Sequence, residues 1–249
     1  MSFMYVSKDG EIATVTLNRG KVNALNEPMV KELTESFQKL EKDDRTHSII
    51  LTGSGKFFSF GFDVPEFLTY SKSEFIRYLE KFTNLYTYMF QFPKPTIAAL
   101  NGHVIAGGCM LATACDCRLM VKGNAKISLN EITFGVPVFA GSIEMLRYCV
   151  GSRNAQSILY SGAMYSAEEA FDLGLVDKVS SEDSLTADAS KVALEFAQKN
   201  GLTFRSIKLH LRQGVAERMM KRETDSIQEF TDIWYSEDTW EKLKEIKIH

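Results

Sequence analysis

Short apolar segments alternate with amphipathic helical segments through the first two thirds of the chain. Residues 11–17, EIATVTL, alternate apolar and polar positions as a half-buried strand does, and residues 95–100 form a short apolar run. Between them, Asn26 predicts the start of a helix whose apolar stripe includes Val30 and Leu33. Because repeated strand–helix order buries helices against a sheet, the pattern predicts a layered α/β domain.

The last third of the chain, from about residue 141, has mainly helical patterns. Ser166 and Glu169 have the spacing of a capping box, and three further helical segments follow between residues 184 and 240. No linker, repeat or low-complexity segment interrupts the chain. We therefore expect an α/β core over residues 1–183 and a C-terminal helical region over residues 184–249.

Composition excludes several classes of protein. A chain of 249 residues can bury a core without disulfides or metals. Its net charge of −3 argues against a nucleic-acid partner, which would call for a basic surface. The four cysteines form no paired CxxC motif, and the apolar run at 104–115 is too short to span a membrane. We expect a soluble intracellular protein, cytoplasmic if bacterial or else a mature form in the mitochondrial matrix, without a membrane partner.

Familiar catalytic motifs are missing from the sequence. The segment GSGKFF at 53–58 lacks the first glycine and the final Ser/Thr of a phosphate-binding loop, and no GxSxG motif occurs. The histidines at 47, 103, 210 and 249 do not have metal-ligand spacing, and His103 is interpreted as a turn residue. We expect no metal and no cofactor. The remaining chemistry is that of carboxylates and backbone amides.

The segment NGHVIAGGCMLATACD at 101–116 places two glycines at the start of a small-residue helix. The N–H groups at a helix start are unpaired and favour negative charge, and Gly107 lets a substrate oxygen approach closely. A second donor must come from another loop, and SFGFD at 59–63 offers the amide of Phe62. The alternative is that both segments are ordinary glycine-containing turns.

Several segments, in this order and spacing, resemble the crotonase superfamily: NRGKVNALN, FFSFGFD, NGHVIAGGCMLATACDCRL, ISLNEITFGV, SRNAQS and SAEEAFDLGLVDKV. The resemblance covers nearly the whole chain. It implies a spiral of ββα units with a C-terminal helical region that builds trimers, often paired into hexamers. It also implies an acyl-CoA thioester substrate whose carbonyl oxygen lies between the amides of Phe62 and Gly107.

The same resemblance assigns the substrate contacts. The segments 21–25 and 59–62 match those that hold the pantetheine and adenine of CoA in the family. The residues expected to bind substrate are Lys21, Val22, Ala24, Leu25, Ser59, Phe60, Gly61, Phe62, Asp63, Gly107, Gly108 and Met110. Asp63 has the alternative role of a helix cap. The family usually has small residues at positions 60 and 62, so the two phenylalanines leave the width of the acyl pocket open.

The resemblance also indicates where acids and bases belong. Crotonase hydratases carry one glutamate three residues after the glycine whose amide binds the thioester carbonyl oxygen, and they carry another on a later loop. These positions are Met110 and Glu131 here. Hydration needs an acid and a base, whereas moving a double bond from C3 to C2 needs only one group that takes up a proton and returns it. The segments AGGCMLATACDCRL and LNE are similar to mitochondrial-type 3,2-enoyl-CoA isomerases, so Glu131 is interpreted as the sole base rather than a solvated loop glutamate.

Three functions follow as hypotheses. The first is a Δ3-Δ2-enoyl-CoA isomerase, and the second is a hydratase or thioester hydrolase that uses Glu131 with water. The third is a catalytically silent acyl-CoA-binding oligomer.

The apolar residues Ile227, Phe230, Ile233 and Trp234 have helical spacing in a tail too small to bury them alone. They predict a homotrimer or a dimer of trimers.

Overall fold

The computed structural model describes residues 2–247. Its strands are Met4–Asp9 (β1), Ile12–Leu17 (β2), Ser48–Gly53 (β3), Phe57–Ser59 (β4), Thr96–Leu100 (β5), His103–Ile105 (β6), Cys117–Val121 (β7), Ile127–Ser128 (β8) and Lys178–Ser180 (β9). The helices are Glu27–Lys42 (α1), Val64–Phe67 (α2), Lys72–Phe90 (α3), Gly107–Ala114 (α4), Ala140–Ser161 (α5), Ala167–Asp172 (α6), Leu185–Ala197 (α7), Gly201–Trp234 (α8) and Glu237–Lys244 (α9). A 3₁₀ helix spans Glu131–Phe134.

These strands form two sheets in the described residues. The larger has the order β1–β2–β3–β5–β7–β9 and is parallel except for β1, and the smaller has the order β4–β6–β8 and is parallel throughout. Three times the chain adds one strand to the larger sheet, then one to the smaller sheet, and then a helical segment; these three units begin with β3, β5 and β7. The α/β fold with ββα units is therefore confirmed.

The strongly periodic segments adopt the predicted structures. Ala13, Val15 and Leu17 of β2 point into the core and are fully buried, as the alternation in EIATVTL requires. Asn26 caps α1 by accepting a hydrogen bond of 3.2 Å from the Met29 amide. The Ser166–Glu169 capping box at the start of α6 is also present.

The sequence-based interpretation fails at β6. His103 was expected in a turn, but it lies in β6, where its Nδ1 accepts a hydrogen bond of 3.2 Å from the Lys126 amide. Its ring lies 5.0 Å from that of Phe57, on the neighbouring strand β4. A strand of three residues is too short to show a period of two, so β6 could not be distinguished from a turn.

The helices of the C-terminal region pack in two different places. Helix α7 lies against β2, β3, β5 and β7 of the larger sheet. Helix α8 packs against α3 and α5, and α9 contacts the 3₁₀ helix that begins at Glu131. The boundary at residue 184 stays a prediction, and its region is described as far as residue 247. Among residues 2–247, no helix combines the length and the hydropathy that a membrane crossing requires.

The C-terminal apolar residues are buried within their own chain, which corrects the sequence-based argument for assembly. Ile227, Phe230 and Trp234 are at most 5% exposed, and Ile233 is half-buried. The Phe230 ring stacks on Phe139 with centroids 4.4 Å apart. Their helical spacing therefore reflects the packing of α8 on α3 and α5, and it gives no reason to expect a partner subunit.

Candidate active site

The carboxyl ends of the small sheet bring three segments of the chain to one edge. Strands β4, β6 and β8 are parallel neighbours, so the residues that follow each of them leave the sheet on the same side. Phe60–Phe62 follow β4, Ala106 and Gly107 follow β6, and Asn130 and Glu131 follow β8. The topology thus places both predicted amide donors and the predicted base at one edge.

The two amide donors belong to segments in close contact. Gly61 has a φ of +93°, and a Cβ atom on it would lie 2.8 Å from the Ile105 carbonyl oxygen and 3.0 Å from the Gly107 nitrogen. Only a residue without a side chain fits here without moving these atoms. Gly61 is therefore what allows the Phe62 segment to approach the start of α4.

A pair of backbone hydrogen bonds fixes the direction of the Phe62 amide. Leu25 donates to the Gly61 carbonyl at 2.7 Å and accepts from the Asp63 amide at 3.0 Å, so Phe62 lies between the two bonds. Neither the Phe62 nor the Gly107 amide has a hydrogen-bond partner among residues 2–247. Two unpaired donors near each other are what an anionic oxygen needs.

The turn into α4 is strained. Ala106 has a φ of +48°, a conformation that costs about 1–3 kcal/mol for a residue other than glycine. This turn lets the chain leave β6 and begin α4 at Gly107, whose missing side chain leaves room for the Phe62 ring and for Leu25. Gly108 has a different role, because a Cβ atom there would lie 2.6 Å from the Ser59 carbonyl oxygen. It permits the close packing of α4 on β4.

Glu131 is buried at the start of its 3₁₀ helix. The residue is 8% exposed, and neither carboxylate oxygen has a hydrogen-bond partner in the described residues. Burial raises the pKa of this carboxyl from 4.5 to about 8, against a smaller opposing effect of its own backbone N–H. A carboxyl of this kind accepts and returns protons near neutral pH.

One apolar pocket joins these groups. It is lined by Phe60, Phe62, Val64, Ile105, Ala106, Gly107, Met110, Asn130, Glu131, Phe134, Val136, Phe139, Phe230, Trp234, Leu243 and Ile246. Glu131 is the only ionisable side chain in this lining, as far as the chain is described. Met110, at the position where crotonase hydratases carry their other glutamate, is 1% exposed and presents a thioether.

The structure brings five of the predicted site residues around the pocket: Phe60, Phe62, Gly107, Met110 and Glu131. The other predicted site residues do not belong to its lining: Lys21, Val22, Ala24, Leu25, Ser59, Gly61, Asp63 and Gly108. Lys21 is exposed, whereas Ala24, Leu25 and Ser59 are buried. Leu25 supports the Phe62 segment through its backbone. Substrate contacts by the residues of either group stay predictions.

Asp63 acts as a helix cap and as one end of an ion pair. Its side chain accepts from the Glu66 amide at 3.2 Å at the start of α2, and its other oxygen lies 2.7 Å from Arg19 Nη2. The Glu66 side chain does not accept from the Asp63 amide but bonds to Arg19 and Asn26. Two acidic residues instead hold the loop before α1 against α2.

Sequence reasoning missed two groups of residues. Asn23, with a φ of +50°, donates through its side-chain amide to the Ser54 and Phe57 carbonyl oxygens and so anchors the loop before α1. The pocket wall from α8, α9 and the chain after them was also missed, including Trp234, Leu243 and Ile246. The repeated asparagines in NRGKVNALN were a signal for Asn23, but no local pattern indicated that residues so distant in sequence close the pocket.

Comparison with known proteins gives consistent results. The family model described as enoyl-CoA hydratase/isomerase matches residues 7–245. A probable enoyl-CoA hydratase of Bacillus subtilis is 35% identical over 83% of this chain and 81% of its own length. A mitochondrial Delta(3,5)-Delta(2,4)-dienoyl-CoA isomerase of Mus musculus is 29% identical over 84% of this chain and 68% of its own.

A solved structure is similar over almost the whole chain. The crystal structure of human mitochondrial delta3-delta2-enoyl-CoA isomerase has a TM-score of 0.94 and 25% sequence identity to this chain. The match covers 98% of this chain and 96% of that one. Proteins described as hydratases and as isomerases are therefore both similar to this chain.

Proposed function

The chain belongs to the enoyl-CoA hydratase/isomerase family, and we propose that it is a Δ3-Δ2-enoyl-CoA isomerase. One observation carries the proposal: among the described residues that line the pocket, Glu131 is the only ionisable side chain. A hydratase needs one group to activate water and another to protonate the α-carbon, whereas an isomerase needs a single group that moves one proton. Met110 can supply no second proton.

The proposed reaction moves one proton between two carbons. The Glu131 carboxylate removes a proton from C2 of a 3-enoyl-CoA, and the electron pair of the C2–H bond enters a dienolate that extends from the thioester oxygen to C4. The resulting carboxylic acid then returns the proton to C4, which leaves the double bond between C2 and C3. The apolar pocket keeps water away from the acid between the two steps.

The amides of Phe62 and Gly107 stabilise the dienolate. They are fixed by the Leu25 bridge and by the start of α4, so they need no reorganisation as charge develops on the thioester oxygen. The partial positive charge at the start of α4 adds to this effect. We assign the CoA contacts to segments 21–25 and 59–63, which flank the pocket at the Leu25–Phe62 bridge.

The proposal is tested by mixing the purified protein with a 3-enoyl-CoA and, separately, with a 2-enoyl-CoA while the absorbance of the conjugated thioester is followed. An isomerase makes conjugation appear in the first mixture and leaves it in the second. Loss of conjugation in the second mixture would indicate a hydratase instead. Release of free CoA in either mixture would indicate a thioester hydrolase, and no change in either would favour a silent binding protein.

The pH dependence of isomerisation should report the pKa of Glu131. The base acts only when it is deprotonated, and its pKa is about 8, so most of the free enzyme is inactive at neutral pH. We expect kcat/KM to rise about tenfold per pH unit up to about pH 8 and to level above it. A kcat/KM that stays constant between pH 5 and 8 in the wild type would contradict this role.

Introducing a second carboxylate at position 110 should produce some hydratase activity. Met110→Glu places an acid–base group in the pocket that already contains Glu131. The gain is expected to be partial, because the new carboxyl must be desolvated and repels the Glu131 carboxylate. Met110→Gln is the matched control of equal size, and we expect no water addition to a 2-enoyl-CoA from it. Equal activity of the two variants would show that the second carboxylate is not what hydration lacks.

We also propose that the protein forms a homotrimer or a dimer of trimers. The buried residues at the end of α8 do not support this assembly, but exposed residues at its start do. The first half of α8 exposes apolar side chains, among which Leu202 is 79% and Leu211 60% exposed. Exposed apolar groups of this kind favour burial against another subunit. Light scattering at micromolar concentration should give three or six times the chain mass of 28.1 kDa. A monomer mass would contradict the assembly.

A further inference from the structure

Every polar side chain that lines the active-site pocket has a buried atom without a hydrogen-bond partner among residues 2–247. These atoms are Oδ1 of Asn130, both carboxylate oxygens of Glu131 and Nε1 of Trp234. Elsewhere in the described residues, only the hydroxyl oxygens of Ser48 and Ser142 share this condition. Buried polar groups are almost always paired with protein, water or a ligand, so these atoms mark one pocket as the place where a polar ligand would find hydrogen-bond partners.

The proposed reaction accounts for Glu131 but not for Trp234. Trp234 is the last residue of α8, is 2% exposed and contributes to a pocket wall that comes from elements other than the small sheet. Its aromatic neighbours are phenylalanines, with ring centroids at 4.6 Å for Phe75 and 5.8 Å for Phe230. A phenylalanine would fill an apolar wall without burying an unpaired N–H. The indole nitrogen is therefore the feature that needs an explanation.

The chemistry of the indole limits what its partner can be. An indole N–H donates and cannot accept, so its partner must be a hydrogen-bond acceptor. The described lining contains no lysine, arginine or histidine, and its one ionisable group is the acidic Glu131. A carboxylate on the ligand would be buried without a cation and would be repelled by ionised Glu131. The acceptor is therefore a neutral oxygen.

We infer that the preferred substrate carries a neutral oxygen, a hydroxyl or a ketone, on its acyl chain, and that this oxygen accepts a hydrogen bond from Trp234 Nε1. The inference rests on the proposed function, which supplies the acyl thioester. We place this oxygen beyond C4, because C2 and C4 must both face Glu131, which comes from the 3₁₀ helix, whereas Trp234 comes from the end of α8. It makes the enzyme selective for oxygenated acyl chains over plain ones of equal length.

Saturated acyl-CoA ligands test this selectivity without any reaction, because they cannot isomerise. The dissociation constants of hexanoyl-CoA, its ω-hydroxy and (ω−1)-hydroxy derivatives and adipoyl-CoA are measured by titration calorimetry. We expect at least one hydroxy ligand to bind the wild type about tenfold more tightly than hexanoyl-CoA, as one added buried hydrogen bond provides. Adipoyl-CoA, with a terminal carboxylate, should bind no more tightly than hexanoyl-CoA.

Trp234→Phe removes the N–H and keeps an aromatic ring. In this variant the hydroxy ligand should lose its advantage, while hexanoyl-CoA should bind as well as it does to the wild type or better. Trp240→Phe is the matched control, since Trp240 stacks on Tyr235 with centroids 5.1 Å apart and does not line the pocket. It should keep the tenfold preference. Thermal unfolding of each variant shows whether it is folded.

Several results would overturn the inference. The first is that the wild type binds neither hydroxy ligand more tightly than hexanoyl-CoA. The second is that folded Trp234→Phe keeps the preference for a hydroxy ligand. The third is that the wild type binds adipoyl-CoA more tightly than either hydroxy ligand. If Trp234→Phe does not fold, the wild-type ligand series alone decides. Failure of all four ligands to bind would overturn the proposed function as well. A hydroxy preference without isomerase activity would overturn the isomerase assignment alone.

Discussion

Replacing Glu131 with glutamine is expected to lower the turnover of a 3-enoyl-CoA by about 10²–10⁴-fold, the usual contribution of a positioned general base. Glutamine keeps the shape of the side chain but cannot accept a proton from C2. The affinity for CoA should change little, because segments 21–25 and 59–63 are left intact. The absorbance of the conjugated thioester gives the turnover, and calorimetry with a saturated acyl-CoA gives the affinity.

A surface glutamate provides the control for this substitution. Glu168 is exposed on α6, and Glu168→Gln makes the same chemical change away from the pocket. We expect wild-type turnover from it. Folding should not limit Glu131→Gln, because the neutral amide removes a carboxylate whose burial is unfavourable. If Glu131→Gln turned over substrate at the wild-type rate, the single-base mechanism would be wrong.

Replacing Gly61 with alanine should be nearly as damaging, although this glycine carries no reacting atom. The new methyl group would begin 3.0 Å from the Gly107 nitrogen and 2.8 Å from the Ile105 carbonyl oxygen, so it must displace or cover one of the two amide donors. Loss of one such donor typically lowers turnover by about 10²–10³-fold. The defect should appear in kcat, because the donor acts on charge that develops in the transition state.

The control for Gly61→Ala must share its backbone strain. Gly123, in the turn after β7, has a φ of +112° and open space around the position of a Cβ atom, so Gly123→Ala imposes similar strain without touching the site. Both variants are expected to lose stability, but only Gly61→Ala should lose turnover beyond tenfold. If both folded variants turn over substrate equally, the contact between Gly61 and Gly107 is not part of the oxyanion site.

The sequence allowed prediction of the site wherever a functional role depends on a few adjacent residues. The Gly107 pair at a helix start and the Phe62 amide in SFGFD are local features, whereas Glu131 was assigned by the family resemblance. Their meeting at one edge of the small sheet required β6 and β8, strands of three and two residues. Such strands are too short for periodicity, so the resemblance to a family, and not the pattern itself, indicated that the segments meet.

Sequence patterns did not predict contacts between distant parts of the chain. Phe230 and Trp234 have the spacing of an apolar face, and that spacing is the same whether the face packs on another subunit or on α3 of its own chain. The structure shows the second arrangement, in which Trp234 lines the same pocket as Phe60 and Phe62, which lie 174 and 172 residues earlier in the sequence. Its unpaired indole N–H could be recognised only once the side chains around it were known.

The most direct test of the single-base isomerase is the fate of deuterium at C2. A 3-enoyl-CoA with both C2 hydrogens replaced by deuterium is converted in ordinary water, and the product is examined by mass spectrometry and NMR at early times. Because Glu131 is buried in an apolar pocket, the acid formed by removal of deuterium should return part of it to C4 before exchange with solvent. The account predicts a 2-enoyl-CoA with deuterium at C4. A product that carries only solvent hydrogen at C4 from the first turnovers would contradict it.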